Sequence, residues 1–187
     1  MFMETGLFII RVVVGLTLAA HGAQKLFGLF GGYGITGTGG FLESIGFRPG
    51  RLFATIAGFG EMFGGLAFAL GLLTPLASAL IVATMLVAIW SVHLEKGFFV
   101  SGGGYEYNLV IIAAAIGITL TGPGSISVDG ALGLQLSGVK WALSTVALGV
   151  IGALPALLAR RASARRKTSA VNESSAPSAN AGESRAG

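Results

Sequence analysis

The sequence contains no cysteine at all, and it is poor in charge. Without cysteine the chain forms no disulfide, no thiol redox centre, no cysteine-ligated zinc site and no ordinary iron–sulfur cluster. Only 11% of its 187 residues are charged while 53% are apolar, which excludes a chain that is disordered as a whole. The apolar residues gather in long runs, and these favour a membrane-embedded helical bundle over a soluble core.

The net charge of +4 comes from the C-terminal end of the chain. Residues 1–159 carry six basic and six acidic side chains, whereas residues 160–187 carry six basic and two acidic ones. A basic block directly after an apolar helix usually records the orientation of that helix in the membrane, so the charge indicates no nucleic-acid partner. Beyond residue 160 apolar periodicity is lost, which predicts a disordered, basic cytoplasmic tail over 160–187.

Five apolar runs predict five membrane-spanning helices, because each is near the roughly 20 residues that cross a bilayer. They cover residues 6–26, 52–73, 76–95, 106–121 and 139–158. Most loop lysines and arginines fall on the side shared by the first loop, the third loop and the tail. Since such residues favour the cytoplasm, we expect the N-terminus outside and the C-terminus inside. A four-span arrangement with the last helix on the surface fits these charges less well.

The glycine-rich stretch 28–40 is predicted to be a flexible loop. It leads into residues 41–45, which have the character of a short helix at the membrane interface. The stretch lacks the lysine and the Ser/Thr of a phosphate-binding loop, so we interpret it as a connector.

Ionisable side chains interrupt two of the predicted spanning helices. Arg11, His21 and Lys25 lie in or at the edge of the first, and Glu61 is the only ionisable residue of the second. A charge inside a bilayer costs about 3 kcal/mol on insertion scales, so such residues are kept where they pair or bind a ligand. At 100° per residue, the charged positions of each helix share a face with small residues: Gly15 and Gly22 on the first, Ala54, Gly58 and Gly65 on the second.

Counting from the helix ends places Glu61 roughly 14 Å and Arg11 roughly 22 Å from the cytoplasmic side. Because an arginine side chain spans much of that gap, we expect an Arg11–Glu61 ion pair. The topology further predicts a graded polar path that opens to the cytoplasm, lined by Arg11, His21, Glu61, His93, Glu106 and Asn108. The structural alternatives are an ion pair that only fixes helix register, and Lys25 and Glu106 side chains that reach out to the interface.

Three segments together resemble the DoxX family of small bacterial membrane proteins. The first is Arg11-(x9)-His21-Gly22-(x2)-Lys25-Leu26-Phe27-Gly28. The second is Glu61-(x2)-Gly64-Gly65-(x5)-Gly71-Leu72-Leu73-Thr74, and the third is Gly122-Pro123-Gly124-Ser125-Ile126-Ser127-Val128-Asp129. The resemblance covers about residues 5–133.

The resemblance implies an all-α integral membrane bundle in the bacterial cytoplasmic (inner) membrane. We expect a DoxX-like four-helix domain over 1–133, an additional transmembrane helix over 134–159 and the tail over 160–187. Carried over by position, Arg11, His21, Lys25, Glu61 and Asp129 would be the family's characteristic polar residues. Members are often labelled as oxidoreductases, and some are associated with quinone-linked oxidation of sulfur compounds or with resistance to oxidative stress.

The first function hypothesis is therefore a redox subunit whose polar core binds a quinone. Arg11, His21 and Lys25 would bind the quinone together with Glu61, and Arg11, His21 and Glu61 would be the catalytic residues, with Glu61 relaying protons. The electrons would come from a protein partner or from a further cofactor, since the sequence carries neither cysteine nor a dinucleotide-binding motif. Haem ligation by His21 and His93 is a weaker option, and no metal site is expected.

Two further hypotheses remain open. A membrane scaffold that recruits a soluble redox enzyme would use its ionic core only for assembly. A small-solute permease would couple protons through Glu61, although five helices without visible inverted repeats fit this class poorly unless the chain forms a homo-oligomer.

Overall fold

The computed structural model describes residues 2–175, and the regular elements within that range are helical. The α-helices are α1 Phe2–Phe27, α2 Gly34–Ser44, α3 Gly50–Leu70, α4 Thr74–Ala88, α5 Glu106–Thr121, α6 Val128–Ala131 and α7 Val139–Ser175. A π-helical turn, Ile89–His93, and a 3-10 turn, Leu94–Lys96, extend α4.

Within residues 2–175, four helical segments are long and apolar enough to cross a membrane. They are Phe2–Phe27, Gly50–Leu70, Thr74–Lys96 and Val139–Arg166, and α5 is a shorter apolar helix. Together they match the five helices predicted from the sequence. Large apolar side chains on their outer faces are exposed, among them Val13, Ile56, Val110 and Leu143. Such faces suit lipid, because the bilayer core accepts apolar side chains as readily as a protein interior does.

Glycines set the contact between α1 and α3. A Cβ atom on Gly15 would lie 2.5 Å from the Gly65 carbonyl oxygen, so the two backbones touch at this level. Nearer the other end of the pair, Gly22 of α1 lies against the backbone of Gly58 and Met62. The predicted small-residue faces are confirmed, since Gly15, Gly22, Gly58 and Gly65 are all buried.

The fifth spanning helix, α7, packs along α4. Gly149 of α7 meets the Val82 side chain, and the buried Thr145 hydroxyl donates a 3.0 Å hydrogen bond to the Pro75 carbonyl. Proline lies in the first turn of α4, as predicted, where its missing amide proton costs nothing. The helix is thus held by specific contacts with the core of the bundle.

Two segments differ from the expectations for loop and tail. The helix α2 begins at Gly34, so the stretch 28–40 is only partly a loop. The helix α7 continues to Ser175, so the predicted onset of disorder at residue 160 does not mark a helix end. Extending α7 beyond residue 160 carries no nucleation cost, because the preceding turns are already helical. The Ala, Arg and Lys residues there also favour the helix. The rest of the predicted tail, 176–187, lies outside the described residues.

Candidate functional site

Lys25 and Glu61 form an ion pair between α1 and α3. The Lys25 Nζ donates to Glu61 Oε2, and the two side chains are 28% and 8% exposed respectively. The close approach of Gly22 to α3 brings the two helices near enough for this contact. The carboxylate is therefore buried, while the ammonium group keeps one side open to the surroundings.

Two aromatic rings from α1 and α5 lie beside this pair. His21, one helical turn before Lys25, is exposed, and its ring centroid lies 6.4 Å from that of Tyr107. Tyr107 is 41% exposed and lies within electrostatic range of the Glu61 carboxylate. We refer to His21, Lys25, Glu61 and Tyr107 as the Lys25–Glu61 centre. It joins an ion pair to two aromatic surfaces where α1, α3 and α5 meet.

The predicted Arg11–Glu61 pair is wrong. Arg11 is fully buried, and its guanidinium donates to the Ala69 carbonyl at 3.1 Å and to the Ile126 carbonyl. The Gly15 and Gly22 contacts put Glu61 level with the second of these glycines, about 16 Å from Arg11 along the helix. Counting from helix ends underestimated this distance, because α3 extends past the end of α1.

Arg11 belongs instead to a second polar centre, at the opposite end of the bundle. Gly71 leaves room there for the guanidinium, because a side chain at this position would collide with it. The Arg11 charge interacts electrostatically with Asp129, which is also fully buried. The Asp129 carboxylate accepts hydrogen bonds from the Leu73 amide at 2.7 Å, the Thr74 amide at 2.8 Å and the Thr74 hydroxyl at 2.7 Å.

This Arg11–Asp129 centre closes one end of the fold. Asp129 caps the start of α4, where Leu73 has the left-handed backbone conformation (φ 44°) that L residues rarely adopt. Glu4 of α1 also accepts hydrogen bonds from the Ser125 amide and hydroxyl in the same loop. Every polar contact described here joins parts of the chain to each other, which indicates a structural role.

The remaining members of the predicted polar path are held elsewhere. His93 Nδ1 lies 2.6 Å from the Gly103 carbonyl oxygen, and Glu106 accepts a 2.9 Å hydrogen bond from the Val100 amide. Both contacts brace the segment between α4 and α5. Asn108 is buried, and its amide contacts the sulfur of Met85 at 3.3 Å. The contacts of these three residues thus do not form a continuous path with Arg11 and Glu61.

The DoxX family model matches residues 6–94, which confirms the resemblance over α1 to the end of the α4 extension. Arg11, His21, Lys25 and Glu61 lie inside the matched segment, and Asp129 lies beyond it. No curated protein and no solved structure matches the chain.

Proposed function

Because residues 6–94 match the DoxX family, we propose that the chain is a redox-associated membrane subunit that binds a lipid-soluble quinone at the Lys25–Glu61 centre. The observation that carries this proposal is the ion pair between the buried Glu61 carboxylate and the partly exposed Lys25 ammonium group. A buried carboxylate and a partly exposed ammonium group on spanning helices are costly to keep, and intramembrane ionisable residues usually mark ligand or proton sites.

The donor set fits a quinone headgroup. An ammonium group has three donors, and the contact with Glu61 uses one of them, which leaves donors for a ligand carbonyl. The exposed faces of His21 and Tyr107 offer apolar surface to a planar ring, and the Tyr107 hydroxyl offers a further donor. A quinone would supply the capacity to accept electrons together with protons. Glu61 and Lys25 would hold and exchange those protons, while Arg11 would support the fold.

The orientation follows from the distribution of basic residues. At the end of the bundle that holds Lys25, the structure also brings together the turn before α3 and the emerging part of α7, because Arg160 donates to the Ile45 carbonyl. This end carries Arg48, Arg51 and Lys96, whereas Lys140 lies at the opposite end. By the positive-inside rule, this distribution supports an orientation in which the Lys25–Glu61 centre would lie in the cytoplasmic half of a bacterial inner membrane. A soluble electron donor would approach from that side.

One observation favours a scaffold as the second candidate. The Lys25–Glu61 pair lies directly beside the tight Gly22 contact between α1 and α3, so it would also suit a purely structural bond. A scaffold would need this pair only for assembly and would recruit a soluble redox enzyme.

A paired replacement separates the two functions. Lys25→Met alone leaves a buried carboxylate unpaired. Lys25→Met combined with Glu61→Leu removes both charges, and apolar replacement of a whole buried ion pair is often tolerated. We expect the double variant to fold and to bind decyl-ubiquinone in lipid nanodiscs about 10- to 100-fold more weakly, since a hydrogen bond to a charged group contributes roughly 1.5–3 kcal/mol. Equilibrium binding measures the affinity, and circular dichroism the helix content.

The matched control is Lys96→Met combined with Glu95→Gln. It removes two exposed charges at the same end of the bundle. We expect this control to bind the quinone as the unaltered protein does. Equal affinity in the Lys25/Glu61 double variant would contradict the quinone site and favour the scaffold.

A further inference from the structure

We propose that the basic cytoplasmic end of α7, together with Arg48, is a binding site for the phosphate headgroups of anionic phospholipids. The feature behind this proposal is the length of α7. The helix has 37 residues, which at 1.5 Å per residue is about 55 Å, far more than the ~30 Å of a hydrocarbon core. Its excess length carries a dense group of arginines.

Arg160 fixes where this group lies. Its Nε donates to the Ile45 carbonyl at 2.8 Å, and its guanidinium lies 6.0 Å from the centre of the Phe47 ring. Its Nη1 donates a longer contact of 3.4 Å to the Trp90 carbonyl. Arg160 thereby ties α7 to the turn before α3 and to the π-helical turn after α4. The arginines that follow are held in a defined place.

The arginines that follow Arg160 are accessible to a ligand. Arg161, Arg165 and Arg166 are exposed, and no ion pair joins them to another residue in the described part of the chain. Arg161 and Arg165 are four positions apart and so share one face of the helix. Arg48 is exposed too and follows directly on Phe47, which Arg160 covers. The result is a concentration of positive charge in which none of these arginines has an ion-pair partner among the described residues.

The position of these arginines relative to the membrane surface favours a lipid headgroup as the ligand. Trp90 is 52% exposed, and tryptophan favours the membrane–water boundary. Its contact with Arg160 puts that arginine at the same level. Arg161 to Arg166 then rise over about 7.5 Å, which corresponds to the headgroup layer of roughly 5–8 Å on each side of the hydrocarbon core. A soluble acidic partner would instead need basic residues that project beyond this layer.

The test compares lipid binding by the full-length protein and a triple variant. Protein in a neutral detergent is titrated with phosphatidylglycerol or phosphatidylcholine at constant ionic strength, and native mass spectrometry counts the bound lipids. The variant carries Arg161→Gln, Arg165→Gln and Arg166→Gln, and the control is Lys140→Gln near the other end of α7. Attraction per basic residue is worth roughly fivefold, so we expect the triple variant to lose about 100-fold in affinity for phosphatidylglycerol.

Three results of this experiment would overturn the lipid-binding proposal. Unchanged phosphatidylglycerol affinity in the triple variant would overturn it and leave the arginines to an acidic soluble partner. A loss of similar size with Lys140→Gln would show that only overall charge matters. Displacement of the lipid by millimolar inorganic phosphate at equal ionic strength would assign the site to free phosphate instead. The quinone site is tested separately, because Arg161, Arg165 and Arg166 have no part in it.

Discussion

Replacing Asp129 with alanine is expected to lower the free energy of unfolding by about 3–5 kcal/mol, the range found when one partner of a buried charged network is removed. The variant loses the three hydrogen bonds that hold the Leu73 and Thr74 amides and the Thr74 hydroxyl. It also leaves the fully buried Arg11 without its neighbouring negative charge. Thermal unfolding in mild detergent, followed by circular dichroism, measures the change.

Two controls separate the sources of this effect. Asp129→Asn keeps an acceptor oxygen of similar shape and removes the charge, so we expect a loss between the unaltered protein and the alanine variant. Glu106→Gln alters another carboxylate that accepts a backbone amide, but at an exposed contact, and we expect a loss of less than about 1 kcal/mol. An alanine variant as stable as the unaltered protein would contradict the capping role of Asp129.

Replacing Gly15 with alanine is expected to destabilise the protein by roughly 3 kcal/mol, at the upper end of the usual cost of overpacking a core. The added Cβ would lie 2.5 Å from the Gly65 carbonyl oxygen and 2.7 Å from the Ala69 amide nitrogen. Both are backbone atoms of α3, so no flexible side chain can move aside. The helices must separate, and the same thermal unfolding experiment measures the loss.

The control is Gly6→Ala in the same helix. A Cβ at Gly6 has no neighbour within 4 Å in the described part of the chain. Since alanine favours helix over glycine by roughly 0.5–1 kcal/mol, this variant should be as stable as the unaltered protein or slightly more so. If both alanine variants unfold at the same temperature, close packing at Gly15 does not determine the α1–α3 contact.

Much of the fold could be predicted because membrane helices are local features of a sequence. The five apolar runs gave the spanning helices, and the spacing of Gly15 and Gly22 gave the face of α1 that meets α3. The start of α2 was missed because Gly34, Gly37, Gly39 and Gly40 are poor helix formers, and tertiary contacts override that preference. Packing of Gly39 against the Arg51 backbone is one such contact.

The candidate site was predicted only in part, because its geometry depends on register between helices. Four residues of the first two spanning helices were selected, but counting from helix ends paired Glu61 with Arg11 instead of Lys25. The predicted separation of Arg11 and Glu61 along the helix was about 8 Å and the observed one is about 16 Å, because glycine contacts set the register and loop positions do not. Lys25 was placed among the quinone-binding residues, with a side chain that reaches the interface as the alternative, but it was not paired with Glu61.

Tyr107 was missed for a different reason. At the start of a membrane helix, a tyrosine is typical of the aromatic belt, so its residue type and position in the sequence do not indicate a ligand. Its position beside His21 depends on α5 lying next to α1, which only the order of helices in the bundle determines. No local pattern in the sequence carries that order.

The central claim is that the Lys25–Glu61 centre binds a quinone, and the most direct test is what the protein carries when it is purified. Protein in mild detergent is extracted with organic solvent for quinone, and visible spectra are recorded before and after dithionite. The account predicts near-stoichiometric quinone in the unaltered protein and little in the folded Lys25→Met, Glu61→Leu double variant. A protein without extractable quinone, or an equal amount in both proteins, would contradict it.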